Sequence, residues 1–161
     1  MNANEIFDTG EPIARLADVR VVAGTRLIVV WADGPREGRS EEVDVGPVIG
    51  SYKAYRALRD APDRFATLRL IDDGYAIAWD GVEAEMTAEL VCECAEESMD
   101  SDEFATFLRR NRLTQEAAAA LLGRSRRQIA NYVKAGPIPR IVALACFGYE
   151  ALAARRRADA A

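Results

Sequence analysis

Residues 113–136, LTQEAAAALLGRSRRQIANYVKAG, decide how the second half of this chain folds. They predict two short helices joined by a tight turn. Thr114 caps the first helix, its hydroxyl accepting a bond from an orphan backbone N–H. Gln115 to Leu122 follow, rich in Ala and Leu, the strongest helix formers. The small side chains at 117–120 let a neighbouring helix come close. Gly123 ends the helix, because it takes a left-handed conformation without steric cost. Ser125 and Gln128, three residues apart, form a capping box that opens the second helix. Ile129, Tyr132 and Val133 recur at helical spacing and are expected to face inward. Arg126, Arg127, Ala130, Asn131 and Lys134 then face outward. Gly136, Pro137 and Pro139 stop the helix. A short helix that opens on arginines and is braced from behind is the geometry that enters the major groove of duplex DNA.

The charge pattern points the same way. The whole chain holds 21 basic and 26 acidic residues, which says little about nucleic acid. Divided at Ser101, the chain separates into two kinds of surface. Residues 101–161 carry eleven bases and five acids, a net +6, and residues 1–100 carry ten bases and 21 acids, a net −11. Such asymmetry suggests one half for nucleic acid and another for something else. A basic face also supplies the sequence-independent part of DNA affinity, through release of counterions.

Roles follow from position. Arg126, at the start of the second helix, is the first candidate for a base edge, since an Arg fork matches guanine O6 and N7. Arg127 is second, and Asn131, suited to adenine, is third. Gln115 and Ser125, at the two helix starts, complete the set of DNA-binding candidates. Arg124, Lys134 and Arg112 are candidates for phosphate.

These residues resemble the Xre or lambda-repressor-like helix-turn-helix family. The family's Thr-Gln pair is matched by Thr114-Gln115, and its Leu-Gly-x-Ser turn by Leu122-Gly123-Arg124-Ser125. Its Ile-x-x-Trp core pair is matched by Ile129 and Tyr132, with Tyr in place of the common Trp, and its closing Gly by Gly136. The resemblance covers about residues 101–150. It implies an all-α domain that binds double-stranded DNA, with the positions of Arg126, Arg127 and Asn131 contacting bases or the adjoining backbone. Gln115 would bond a phosphate or brace the first recognition residue. Isolated units of this kind bind weakly, so a homodimer reading two half-sites is expected. Residues Ile138 to Arg157 predict one further long helix or two. Ile141, Leu144, Ala145 and Leu152 keep helical spacing and are expected to pack the core, with apolar surface left for the dimer partner.

The first hundred residues read as strands. Val19 and Val21 alternate with polar neighbours, and Ala23-Gly24-Thr25 makes a turn. Leu27 to Trp31 is a continuous β-branched and aromatic run, as a well-covered strand shows. Asp33-Gly34-Pro35 breaks it. Glu41 to Val45 is a third, polar-faced strand, and Tyr55 to Asp60 a short helix before Pro62. Thr67 to Ile71 and Tyr75 to Trp79 flank Asp72-Asp73-Gly74, a hairpin signal. Thr87 to Glu97 reads as an acidic helix. Asp100 and Glu103 form a second capping box before a helix over Asp102 to Arg110.

Four segments of this half resemble a small uncharacterised bacterial domain family of the toxin–antitoxin-associated type. They are Trp31-Ala32-Asp33-Gly34, Val43-Asp44-Val45, Leu58 to Phe65, and Ile77-Ala78-Trp79-Asp80-Gly81. The likeness spans about residues 12–92 and implies a fold with little chemistry attached. The longer Pro35–Ser40 stretch departs from the pattern and leaves the register of the third strand open.

The expected architecture is therefore α+β: an acidic, β-rich domain over 1–98, then an all-α helix-turn-helix domain over 99–161. The chain has no histidine, which removes the commonest general base, the Ser-His and Cys-His nucleophile pairs and most zinc sites. Cys92-x-Cys94 lacks a second metal-ligand pair. No cofactor or metal is expected, and no enzyme activity. The aspartates 33, 44, 60, 72, 73 and 80 sit mostly at turns, where Asp bonds its own backbone. Trp31 and Trp79 read as core, with a ligand pocket between strands as the rival reading. The excess acid reads as solvated surface or as a docking face for a basic protein partner, which is the alternative function. No apolar run reaches the roughly 18 residues of a membrane span. Met1 to Asp8 lacks the pattern of a signal peptide, and three cysteines fit a reducing compartment, so a cytoplasmic protein is expected.

Overall fold

Alternation of buried and half-buried residues, rather than burial on both faces, shapes the first sheet. The computed structural model describes residues 12–160, so the N-terminal stretch Met1 to Asp8 lies outside the described residues. The strands β1 (Arg15–Ala23), β2 (Arg26–Asp33) and β3 (Ser40–Asp44) form an antiparallel sheet with β2 in the centre. Leu27, Val29 and Trp31 are buried, while Ile28 and Val30 between them are half-buried. The run read as covered on both faces is thus a strand with one core face. The third strand pairs Leu27 with Val43 and Val29 with Glu41, which settles its register.

Proline shapes the connection that follows. Pro47 sits in the first turn of α1 (Gly46–Ser51), a helix not foreseen in the sequence, where its missing N–H costs nothing. The helix expected over Tyr55 to Asp60 is a 3-10 turn over Lys53–Leu58 instead. It stops because Asp60 takes φ 54° and Ala61, held by Pro62, cannot stay helical. A single turn, α2 (Pro62–Phe65), leads to β4 (Arg69–Ile71), β5 (Ala76–Ala78) and β6 (Met86–Thr87), a second antiparallel sheet. Between β4 and β5, Asp72, Asp73 and Gly74 all have positive φ. Gly74 is required there, since a Cβ would come 2.0 Å from the Leu16 carbonyl oxygen. The helix α3 (Ala88–Glu96) closes this part.

The chain divides into two compact units, Met1–Ala95 and Glu96–Ala161, each with a separate apolar core. In the first, Trp79 packs against Phe65 and Tyr55, with ring centroids 5.7 and 6.2 Å away. Both tryptophans are core residues, 2% and 1% exposed. The Trp31 indole donates to Glu41 at 2.7 Å, and Arg36 Nη2 donates to the same carboxylate at 2.7 Å. Burial alone would raise the Glu41 carboxyl, but these two donors outweigh it and hold it below the usual range.

The second unit holds α4 (Ser101–Arg110), α5 (Gln115–Leu122), α6 (Arg126–Lys134) and α7 (Arg140–Asp159). Its core joins Phe104, Phe107, Ala118, Ile129, Tyr132, Val142, Ala143 and Cys146. Each large apolar side chain buried here contributes about 1.5–3 kcal/mol. Residues 140–159 form one helix, and its packing face differs from the expected one. Val142, Ala143 and Cys146 are buried, whereas Ile141, Ala145 and Leu152 are exposed and Leu144 is half-buried. The helix is apolar on both sides, so spacing alone does not tell which side meets the core. Burial, with the Glu150 charge nearby, pushes the Cys146 thiol up to about 11, and it stays protonated.

Candidate nucleic-acid interface

Local hydrogen bonds fix the start, turn and end of the two helices. Thr114 Oγ1 accepts the Ala117 N–H at 3.1 Å and opens α5. At its end Gly123 takes φ 60°, ψ 37°, and the Arg124 N–H bonds back to the Ala119 carbonyl at 3.0 Å. That left-handed residue turns the chain within three residues. Ser125 then caps α6: the Gln128 N–H donates to Ser125 Oγ at 3.2 Å, and the Ser125 N–H donates to Gln128 Oε1 at 2.9 Å. The capping box anticipated from Ser125 and Gln128 is present in full, as is the one from Asp100 and Glu103 at α4.

The core side of α6 is narrow. Ile129 is fully buried, Tyr132 is 6% exposed and Val133 is half-buried. Tyr132 stands edge-on to Phe104 at 5.7 Å, and α6 packs against both α4 and α5. Ala118 alone of the four alanines of α5 is fully inside.

The opposite side carries Arg126, Arg127, Asn131 and Lys134, all exposed. At 100° per residue they fall within about 140° of arc, over about 12 Å of helix. No ion pair engages Arg126, Arg127 or Lys134 among the described residues. Other arginines of this unit are engaged. Arg110 forms a two-pronged bond to Glu150 at 2.7 and 2.6 Å, and Arg140 Nε donates to Glu97 at 2.6 Å. Gln115 is exposed in the first turn of α5, and Arg112 is exposed just before it. Ser125 is exposed, although its oxygen is taken up by the cap. Arg124 differs from the others. It is half-buried, and its Nε is out of water with no hydrogen-bond partner.

Two features went unseen in the sequence. Arg112 follows α4 with φ 54°, and the Leu113 N–H closes that helix on the Leu108 carbonyl at 2.9 Å. An open cleft of about 400 Å³ lies at the end of α6, where Gly136, Pro137 and Pro139 fold back beside Gln128, Asn131 and Lys134. Helix termination was foreseen there from Gly136, Pro137 and Pro139, and the helix ends just before them. Ala135 and Gly136 both donate to the Asn131 carbonyl, at 3.2 and 2.9 Å. The signal for the cleft was the pair of prolines, which cannot continue a helix.

Three of the six turn aspartates are engaged by nearby groups. Asp44 accepts from Thr25 and from the Gly46 N–H, at 2.7 and 2.8 Å. Asp33 accepts the Gly34 N–H at 3.0 Å, and Asp80 pairs with Arg69 at 2.5 Å. Among the described residues no group of three metal-binding side chains converges, and no helix is long and apolar enough to cross a membrane.

The surface so defined is a short helix that presents exposed cations and an amide beside a second capped helix. No family model matches the chain, and no curated protein matches it. Among solved structures it is similar to one from Nitrosomonas europaea described as a "Putative DNA Binding Protein". The two are 30% identical, the match covers 86% of each chain, and the TM-score is 0.41. At that score no geometry passes from one chain to the other.

Proposed function

We propose that this chain is a sequence-specific DNA-binding transcription regulator of the Xre or lambda-repressor-like kind, in which α5 and α6 act as the helix-turn-helix and α6 reads the major groove. One observation carries this reading. Arg126, Arg127, Asn131 and Lys134 share one exposed face of α6, with no ion pair holding the cations among the described residues, while Ile129 and Tyr132 anchor the opposite face. An arginine at a helix start is placed to bond guanine, and a lysine at the last residue of the helix is placed for a phosphate. The unit holding this face has a net charge of +6 over residues 101–161, which suits a polyanion. Two copies reading half-sites about 34–36 Å apart would supply the affinity that one short helix lacks.

The test is selection of bound sequences from a random duplex pool by the full chain. A consensus of two half-sites about 10 base pairs apart is expected. A pool that stays random after repeated rounds would end this reading.

A second reading has its own observation. On α3, Glu89, Glu93 and Glu96 follow at steps of four and three, all exposed and without an ion pair among the described residues. Such a face suits a basic protein, as an antitoxin-like chain would require. Capture of one basic partner that the triple change to Gln abolishes, with no retardation of DNA at low salt, would favour it.

A further inference from the structure

The cleft at the end of α6 offers hydrogen-bond donors and no acid. Its volume of about 400 Å³ lies at the lower end of the range for small-molecule sites. Gln128, Asn131 and Tyr132 line it from the helix, Lys134 from the helix's last residue, and Pro137 and Pro139 from the chain beyond. Gln128 Oε1 is taken by the Ser125 N–H, which leaves its amide nitrogen to donate. Among the described residues the Asn131 side chain makes no hydrogen bond and Lys134 no ion pair. Tyr132 points to a ligand independently. It is 6% exposed, yet among the described residues its hydroxyl has no hydrogen-bond partner. That oxygen is not sealed off, as the Trp79 indole nitrogen and Arg124 Nε are. The open space that Tyr132 borders is the cleft. A polar group held this far from water and left without a partner is one that a ligand satisfies at a gain.

We propose that the cleft binds a small organic carboxylate with an apolar, ring-sized body, and that this ligand displaces DNA. The sign of the ligand's charge follows from Lys134, the one charged side chain that lines the cleft. Lys134 draws the carboxylate, and the Asn131 amide and the Tyr132 hydroxyl donate to it. A phosphate fits less well. It asks for a second cation or for a cradle of backbone N–H groups, and the N–H groups of Ala135 and Gly136 are both spent on the Asn131 carbonyl. Pro137 and Pro139 supply an apolar wall for the body of the ligand. The effect on DNA rests on the reading of α6 as the DNA-reading helix. Asn131 and Lys134 belong to that face as well as to the cleft, so the two ligands compete for the same side chains. Each then weakens the other by the same factor. The carboxylate acts as a releasing signal, and it needs no movement of one unit against the other.

Titration of the full chain with benzoate, followed by backbone amide resonances at constant ionic strength, tests the site without DNA. Saturable shifts centred on residues 128–139 are expected, with a dissociation constant of about 1 mM or tighter. Benzamide keeps the ring and lacks the charge, acetate keeps the charge and lacks the ring, and inorganic phosphate is an anion of the other class. Each should bind at least about tenfold more weakly than benzoate. Lys134→Met, at an exposed position, should weaken benzoate about tenfold. Tyr132→Phe should weaken it about threefold to tenfold and leave the melting temperature unchanged, because the hydroxyl bonds nothing within the fold. The proposal is overturned if benzoate shifts no resonance in this segment, if benzamide, acetate or phosphate binds as well, or if Tyr132→Phe lowers the melting temperature and leaves benzoate affinity as it was. Retardation of the selected duplex, with benzoate exchanged for chloride at equal ionic strength, tests the release. Benzoate should lower DNA affinity where chloride does not, and equal retardation in the two salts would overturn that part. A chain that binds benzoate in the cleft but retards no DNA keeps the site and removes the DNA reading. One that retards DNA and ignores benzoate does the reverse.

Discussion

At the scale of single residues, Arg126 and Lys134 share a face but differ in what they would recognise. Arg126 stands at the start of α6, where a guanidinium fork meets a base edge. Arg126→Ala is expected to weaken binding to the selected sequence by roughly 1–3 kcal/mol and to relax preference at one position. Lys134→Ala should weaken binding to all sequences alike. Titration of both variants against selected and scrambled duplexes separates the two roles. Unchanged discrimination in Arg126→Ala would contradict its assignment. Arg112 poses a different question. Its φ of 54° costs an L-residue roughly 1–2 kcal/mol, and glycine would occupy it freely. Arg112→Gly should therefore stabilise the fold by about 0.5–1 kcal/mol, read as a melting temperature a few degrees higher, and yet lower DNA affinity. A variant that is more stable and binds as well as wild type would show that this arginine touches no phosphate.

At the scale of elements, caps and cross-helix bonds hold α6 in place. Both halves of the Ser125–Gln128 box are made, so Ser125→Ala should cost about 1 kcal/mol in chemical denaturation. Its effect on DNA binding should be larger than on a neutral surface site, because the helix start carries Arg126. α4 and α7 are joined by Glu150, which accepts from Arg110 and from Asn111 at 2.7 Å. The bond from Arg110, then that from Asn111 together with the nearby arginine charges, holds its carboxyl below the ordinary value of 4.5, although partial burial opposes this. A carboxyl whose folded value is depressed contributes stability that is complete above that value and is lost as pH falls through the folded one. Melting temperature should thus drop below about pH 4.5, and Glu150→Gln should flatten part of that drop while costing about 0.5–1 kcal/mol at neutral pH. A drop of unchanged size in the variant would assign the acid sensitivity elsewhere, with Glu41 the next candidate.

At the scale of the whole molecule, charge is divided rather than summed. The chain is net −5, and a uniform particle of that sign would be repelled by DNA. Because the basic face sits on one unit, log affinity should nonetheless fall linearly with log salt, by about 0.9 for each phosphate neutralised. Retardation measured at two or more salt concentrations checks this, and affinity that rises with salt would refute it. Caps, the left-handed glycine at 123 and the inward pair Ile129 and Tyr132 were legible from the sequence by itself. These depend on residues three or four apart, and local hydrogen bonds decide them. So were the strand pair around Gly24 and the α+β order of elements. Other features were decided only by tertiary structure. The half-covered face of β2, the half-buried Arg124 and the core-facing side of α7 all depend on residues distant in sequence. An apolar pattern says that a face is to be covered. Which element covers it is settled by packing, because burial rewards contact with any apolar neighbour and carries no direction of its own.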